Sequence, residues 1–386
     1  MRLWNIFLKC AREQKRDLWV VMLSLAFAPL FVLLYWLITS SGGSTTFGLI
    51  VINHDQGTQS VHAGEELITR FKSFSYENGS PFLRVMEQTD RSKAEEHLRN
   101  RDAAALIIIP EDFSKVVEDM KSGQTVQPTR LEFVGDLTYP TYTVAAVSAM
   151  TVADKYLVEA SGEIRPVDLH ETPLGASAAR SEFENYVPGL FIFAVVITIF
   201  QAAMLAAREG EGGKLIRLRL AGVSSFEFLG GISAWLVLVS VVSAALAFGT
   251  AVALGFTSQG PLWLALLVII ITSLSIIGVG MIVASFAKTV SQAFVIANFP
   301  LGILMFLSGS IFPLPRTNLF MIAGHGFAAA DLLPPTHAVI ALNKIFNLGA
   351  GPADVVYELV MLAVLSILYF AVGVILFNRM NMRGSE

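Results

Sequence analysis

The sequence predicts an α-helical polytopic membrane protein: six transmembrane helices, an N-terminal amphipathic elbow helix, an outer re-entrant hairpin and an α/β extracytoplasmic domain. Three observations carry this prediction. Residues 18–39 form an uncharged apolar run, after which the chain stays polar to about residue 185. Five later runs, 187–207, 229–256, 262–287, 289–314 and 359–378, contain no Asp, Glu, Lys or Arg. A hydrocarbon core of about 30 Å needs about 20 helical residues, which these runs supply. The charge is also segregated. Residues 44–185 hold 13 Lys and Arg against 22 Asp and Glu, whereas the rest of the chain is basic, so the net charge of −4 conceals an acidic and a basic part.

The N-terminal residues 1–17 read as the elbow helix. Leu3, Trp4, Phe7, Cys10 and Ala11 recur at helical spacing opposite Arg2, Asn5, Lys9, Arg12 and Arg16. Such a helix lies along the headgroups before the chain turns into the first span. The 17-residue polar leader, the overlong apolar run and the lack of an A-x-A site argue for a retained anchor rather than a cleaved signal.

The spans are expected at 18–39, 186–207, 226–256, 262–287, 289–314 and 356–378. Positive charge sets their direction. Arg2, Lys9, Arg12, Lys15 and Arg16, the loop residues Arg208, Lys214, Arg217 and Arg219, then Lys288, Arg379 and Arg383 all fall on one side. Only Arg316 and Lys344 occupy short loops on the other. Both termini are therefore expected in the cytoplasm, with the acidic domain outside.

That domain, 44–180, reads as α/β. Residues 47–53 and 104–109 are compact apolar strands, closed by His54-Asp55-Gln56-Gly57 and Pro110. Residues 130–134 and 82–87 are two further strand candidates. Helices are expected at 59–74, 90–99, 111–120 and 141–160, covering a small mixed sheet. An acidic domain disfavours nucleic acid as a partner, because phosphate contacts need clustered Lys and Arg. The single cysteine, Cys10, precedes the first span, so the domain has no disulfide. Asp55, Glu65 and Glu66 read as a solvated acidic face rather than a cation site.

Residues 317–346 are too interrupted to span. Prolines 313 and 315 precede them, prolines 334 and 335 interrupt them, and a re-entrant helical hairpin on the outer side fits. His325, Asp331 and His337 lack the close pairing of zinc ligands and read as polar groups that satisfy broken backbone. Within the spans, Ser24, Ser240, Ser243, Thr272, Ser273 and Ser275 are expected to bond to helix carbonyls, and Gly278 and Gly280 to permit close packing. No ionisable residue lies in a span core, which disfavours a proton-driven carrier and suits hydrophobic or amphipathic cargo.

The loop 208–223, REGEGGKLIRLRLAGV, reads by composition alone as a solvated basic loop. It also resembles the coupling-helix motif of ATP-binding cassette (ABC) transporter permeases of the type-2 exporter class, E-x-x-x-G-T-L-E-R-L-x-x-T-P. Glu209, Gly213, Leu215, Arg217 and Leu218 match; Lys214, Ile216 and Gly222 depart from it. A second resemblance covers Ser308-Gly309 with Phe312-Pro313, then Pro334-Pro335-Thr336-His337 and Ala341-Leu342, which is similar to the family's S-G-x-x-F-P … P-x-T-[HY] signature. The strand ending in Asn53 and the element Ile109-Pro110-Glu111-Asp112-Phe113 resemble parts of its outer domain.

The resemblance implies a permease subunit of the bacterial inner membrane, a dimer of such chains, and separate ATPase subunits that carry ATP and Mg. No cofactor is expected in this chain, which lacks a G-x-x-x-x-G-K-[ST] phosphate cradle. It also implies coupling to the ATPase through Glu209, Gly213, Lys214, Leu215, Arg217 and Leu218. A re-entrant gate would form from Phe312, Pro313, Pro334, Pro335, Thr336 and His337, and the resemblance leaves room for a periplasmic adaptor as a further partner. Two other classes remain open from residues alone: a membrane-anchored receptor or envelope-assembly protein whose outer domain binds a ligand or partner, and a lipid-acting enzyme using Glu182, Glu184, His325 or Asp331.

Overall fold

The computed structural model describes residues 2–16, 18–40, 46–76, 79–123, 128–137, 140–162, 182–211, 215, 217, 220–311, 318–322 and 324–382. The chain divides into two compact units, Thr39–Thr172 and the remainder, Met1–Ile38 with Pro173–Glu386.

The smaller unit begins at β1 (Phe47–Asn53) and continues through α3 (Ala63–Ser73), β2 (Leu83–Glu87), α4 (Arg91–Arg99), β3 (Ala105–Ile109), α5 (Phe113–Lys121), β4 (Glu132–Val134) and α6 (Pro140–Ser161). The sheet order is β2-β1-β3-β4; β1 pairs in parallel with β2 and β3, and β4 closes the sheet antiparallel to β3. Strand periodicity explains why β1 is apolar throughout. Leu49 and Val51 pack with Leu67, Phe71, Phe113 and Val117 on one face, while Ile50 and Ile52 pack with Ala94 and Leu106 on the other.

Asp55, just past β1, ties two helix starts together. One carboxylate oxygen accepts from the Ser114 backbone N–H at 2.9 Å; the other accepts from the Gly64 N–H at 3.0 Å and from the Ser114 hydroxyl. Negative charge is favourable at helix N-termini, so Asp55 is a structural staple rather than part of a solvated face. Tyr156 donates to Glu66 at 2.8 Å, and burial together with that carboxylate pushes its phenol pKa upward.

The larger unit starts with α1 (Arg2–Arg16) and α2 (Leu18–Ser40) and resumes with α7 (Glu182–Val196) and α8 (Thr198–Glu211). It continues through α9 (Ser225–Ala253), α10 (Leu262–Phe286), α11 (Val290–Phe306), α12 (Pro334–Leu348) and α13 (Val356–Phe377). Among the described residues, four helical segments are long and apolar enough to cross a membrane: Phe183–Glu211, Ser225–Ala253, Leu262–Phe286 and Pro352–Asn381. Two shorter apolar stretches, Leu25–Thr39 and Val290–Phe306, accompany them.

Glycines set the packing of α10. A Cβ on Gly278 would lie 2.6 Å from the Phe370 backbone nitrogen, and one on Gly280 would lie 2.5 Å from the Ala202 methyl. Small residues of this kind let helix backbones approach where lipid offers no hydrophobic driving force. Thr272 and Ser273 donate to the carbonyls of Val268 and Ile269, each at 2.7 Å, and Ser366 reaches across to the Ile271 carbonyl at 2.9 Å. The hydroxyls of Ser240 and Ser275 depart from the expectation: both are buried and make no hydrogen bond. The Ser24 side chain lies outside the described residues.

Three boundaries differ from the sequence reading. The helix expected to run from 289 to 314 ends at Phe306, and Gly309 then turns with φ +79°. There the backbone makes a close approach, since a Cβ on Gly189 would lie 2.1 Å from the Ser310 carbonyl oxygen. The span expected at 186–207 is two consecutive helices meeting at Ile197, where the Thr198 hydroxyl bonds the Val195 carbonyl at 2.6 Å; α8 runs on to Glu211, so the loop begins later than residue 208.

The first limb of the 317–346 segment is not helical. Phe320–Ile322 and His325–Phe327 form a two-stranded antiparallel ribbon, β5 and β6, in which Phe320 stacks on Phe327 with ring centroids 4.8 Å apart. Gly324, at φ +81°, supplies the left-handed turn, and together with Gly326 it makes a helix costly there.

Candidate functional site

Two regions gather the residues singled out in the sequence. The first surrounds the end of α8. Glu209 belongs to the last turn of that helix, and its side chain is only 6% exposed; it receives Lys9 Nζ of α1 at 2.6 Å. Lys9 also lies 3.9 Å from Glu13, one helical turn on. Beside this pair, Leu215 is buried in a cluster with Ile6, Cys10, Ala202, Ala206 and Phe228. Burial, the largest influence on Cys10, pushes its thiol up to about 12.

The elbow helix is held along its length. Trp4 stacks on Phe7, which meets Trp235 edge-on at 5.7 Å. A Cβ on Gly231 would lie 2.6 Å from Ile6, so α9 accepts α1 only because that position has no side chain. Arg2 donates to the Gly222 carbonyl and stands 4.0 Å from Glu227. Glu227 completes a capping box with Ser224: each side chain accepts from the other's orphan backbone N–H, Ser224 at 3.2 Å and Glu227 at 2.9 Å. Gly222, at φ +71°, makes the turn into this cap.

Two residues beyond Glu209, Glu211 accepts the Val290 backbone N–H at 2.9 Å and so caps α11, alongside Thr289, whose hydroxyl accepts from Gln292 N–H at 3.2 Å. Residues two apart on a helix point in nearly opposite directions. The end of α8 is therefore tied on one side to α1 and on the other to α11.

Arg217 is exposed, and Leu220 is 83% exposed. Gly213, Lys214 and Leu218 lie outside the described residues. Sequence reasoning missed Lys9 as the partner of Glu209, the Arg2 contact and the Glu211 cap. Of the site's features, the Ser224–Glu227 cap alone has a local signature, S-x-x-E before an apolar run.

The second region is the start of α12. Pro334 and Pro335 occupy its first turn, where a missing N–H costs nothing. Thr336 donates from Oγ1 to the Ala330 carbonyl at 2.7 Å, and His337 Nε2–H donates to the Asp331 carbonyl at 2.9 Å. Asp331 in turn accepts the Ala328 N–H at 2.8 Å. The imidazole, the hydroxyl and the carboxyl thus satisfy the backbone of a 3₁₀ turn, Ala329–Leu332; among the described residues no cluster with metal-ligand composition occurs. Phe312 and Pro313 lie outside the described residues. A cavity of about 320 Å³ adjoins this helix, lined by Tyr186, Gly189, Ser310, Val339 and Asn343.

A bundle of apolar helices, among the described residues four of them long enough to cross a membrane, with a small mixed α/β unit defines a helical membrane protein, and its clamped helix end leads into a turn where Arg217 is exposed. Residues 15–375 match the family described as ABC-2 family transporter protein, and the chain belongs to that family. It is a multi-pass membrane permease subunit, a class that works with partner ATPase subunits. It is similar to the linearmycin resistance permease protein LnrN of Bacillus subtilis (strain 168), 23% identical over 368 residues, covering 90% of this chain and 91% of that protein.

Proposed function

We infer that this chain is the membrane half of an exporter that moves a hydrophobic or amphipathic, drug- or lipid-like molecule from the cytoplasm or inner leaflet of a bacterial inner membrane. On this reading six spans keep both termini on one side, the positive-inside bias makes that side the cytoplasm with the α/β unit outside, and two permease chains, alike or related, pair with two ATPases. The α12 segment with Pro334, Pro335, Thr336 and His337, together with Phe312 and Pro313, forms the outer gate. The relative's printed name, a resistance permease, supports an antibiotic-like cargo.

The observation that carries this reading is the Lys9–Glu209 pair, its carboxylate buried and its ammonium partly exposed, with Leu215 beside it. It fastens the loop root to both the elbow and the bundle while Arg217 and Leu220 stay exposed. A root held in the core with an exposed basic and apolar tip suits transmission of force from a docked ATPase. Glu209, Gly213, Lys214, Leu215, Arg217 and Leu218 are the assigned coupling residues.

The test is ATPase turnover of the co-purified complex in lipid, comparing wild type with Arg217→Glu and Leu220→Asp. Both variants are expected to fold normally and to lose at least tenfold of the permease-dependent turnover. A wild-type chain that neither retains an ATPase nor alters its turnover overturns the reading.

A further inference from the structure

A second cavity, of about 380 Å³, lies where the β5–β6 ribbon, α12 and the first turn of α13 meet. Its walls carry Asn318, His325, His337, Lys344, Tyr357 and Glu358. The Glu358 side chain is 5% exposed, and its Oε1 accepts from Lys344 Nζ at 2.8 Å. Lys344 also donates to the Asp354 carbonyl at 3.2 Å. Glu358 Oε2 is buried and accepts no hydrogen bond. A carboxylate oxygen withdrawn from water without a donor is unfavourable, so the wall is incomplete as it stands. Beside it the His325 ring lies flat against Tyr357, with centroids 4.0 Å apart, and His325 is exposed.

The charges select the guest. One ammonium balances one carboxylate, so a cation entering the cavity meets Lys344 and an anion meets Glu358. A neutral group rich in hydroxyls meets neither penalty. It donates to Glu358 Oε2, accepts from Asn318 or Lys344, and covers the open face of the His325–Tyr357 stack with its C–H side. We propose that this cavity binds the neutral, hydroxyl-rich head of a glycosylated or polyol-bearing compound. The site rests on the permease reading only for the source of that compound, either an amphiphile in the membrane or a free sugar.

The test uses the full chain in phosphatidylcholine nanodiscs assembled without glycoside detergent. Binding of radiolabelled dodecyl maltoside is measured over empty discs, with dodecyltrimethylammonium, dodecyl sulfate and free maltose as competitors. A saturable component is expected that Glu358→Gln and His325→Ala each weaken at least tenfold and Asn318→Ala weakens less. Asn318 and His325 are exposed, so their variants keep the assay valid should Glu358→Gln fold poorly. Displacement by free maltose assigns the site to soluble sugars; displacement by the unlabelled glycoside alone assigns it to membrane amphiphiles. Absence of a saturable component overturns the proposal, as does equal displacement by the charged surfactants or indifference to all three substitutions. The assay needs no ATPase, so its failure leaves the permease reading standing, and loss of ATPase coupling leaves this binding intact.

Discussion

At the scale of single residues, the Lys9–Glu209 pair is asymmetric, and the asymmetry is measurable. The glutamate side chain is 6% exposed and the lysine 34%. Removing the lysine takes its ammonium from a buried carboxylate, whereas removing the glutamate leaves an ammonium that still reaches water. Breaking a fully buried pair costs about 3–5 kcal/mol. Lys9→Met is expected to approach the lower end of that range, and Glu209→Gln to cost only about 1 kcal/mol. Chemical denaturation monitored by Trp4 and Trp235 fluorescence checks the order; equal losses sink the argument. Neither residue is conspicuous in the sequence. Glu209 could be placed through a resemblance, but Lys9, two hundred positions away, has no local signal that names its partner. The same holds for Lys344 and Glu358, joined only once α12 and α13 pack.

At the scale of elements, apolar periodicity placed most of the structure. β1 coincides with the run 47–53 because five consecutive residues are buried on alternating faces, a pattern no loop sustains. α11 ends earlier than its apolar composition predicts because composition does not register the Gly309 turn, and the ribbon at Phe320–Phe327 is not legible as strand because three-residue strands carry too few positions for a period to show. Gly278 and Gly280 were legible as packing residues, although their partners were not. Gly278→Val is expected to separate α10 from α13, since the obstacle is Phe370 backbone and cannot swing aside. Overpacking of this kind costs about 1–3 kcal/mol or more. A lowered melting temperature in nanodiscs checks it, with Gly302→Val, where a Cβ meets open space, as the neutral control.

At the scale of the whole molecule, topology is the testable quantity, and the chain is convenient for it. Its single cysteine is buried, with a thiol pushed up to about 12, so it stays protonated and silent to maleimide near neutral pH. Leu137→Cys, in an 80% exposed position of the α/β unit, is expected to label from outside intact cells. Leu220→Cys is expected to label only after permeabilisation. The reverse pattern inverts the proposed orientation.

The two carboxylates that close α8 add a mechanical constraint. Glu209 and Glu211 hold opposite neighbours, like the two pins of a yoke. A load applied at the exposed turn cannot slide α8 along either neighbour without breaking one pin, so the motion of least resistance is a rocking of the helix between them.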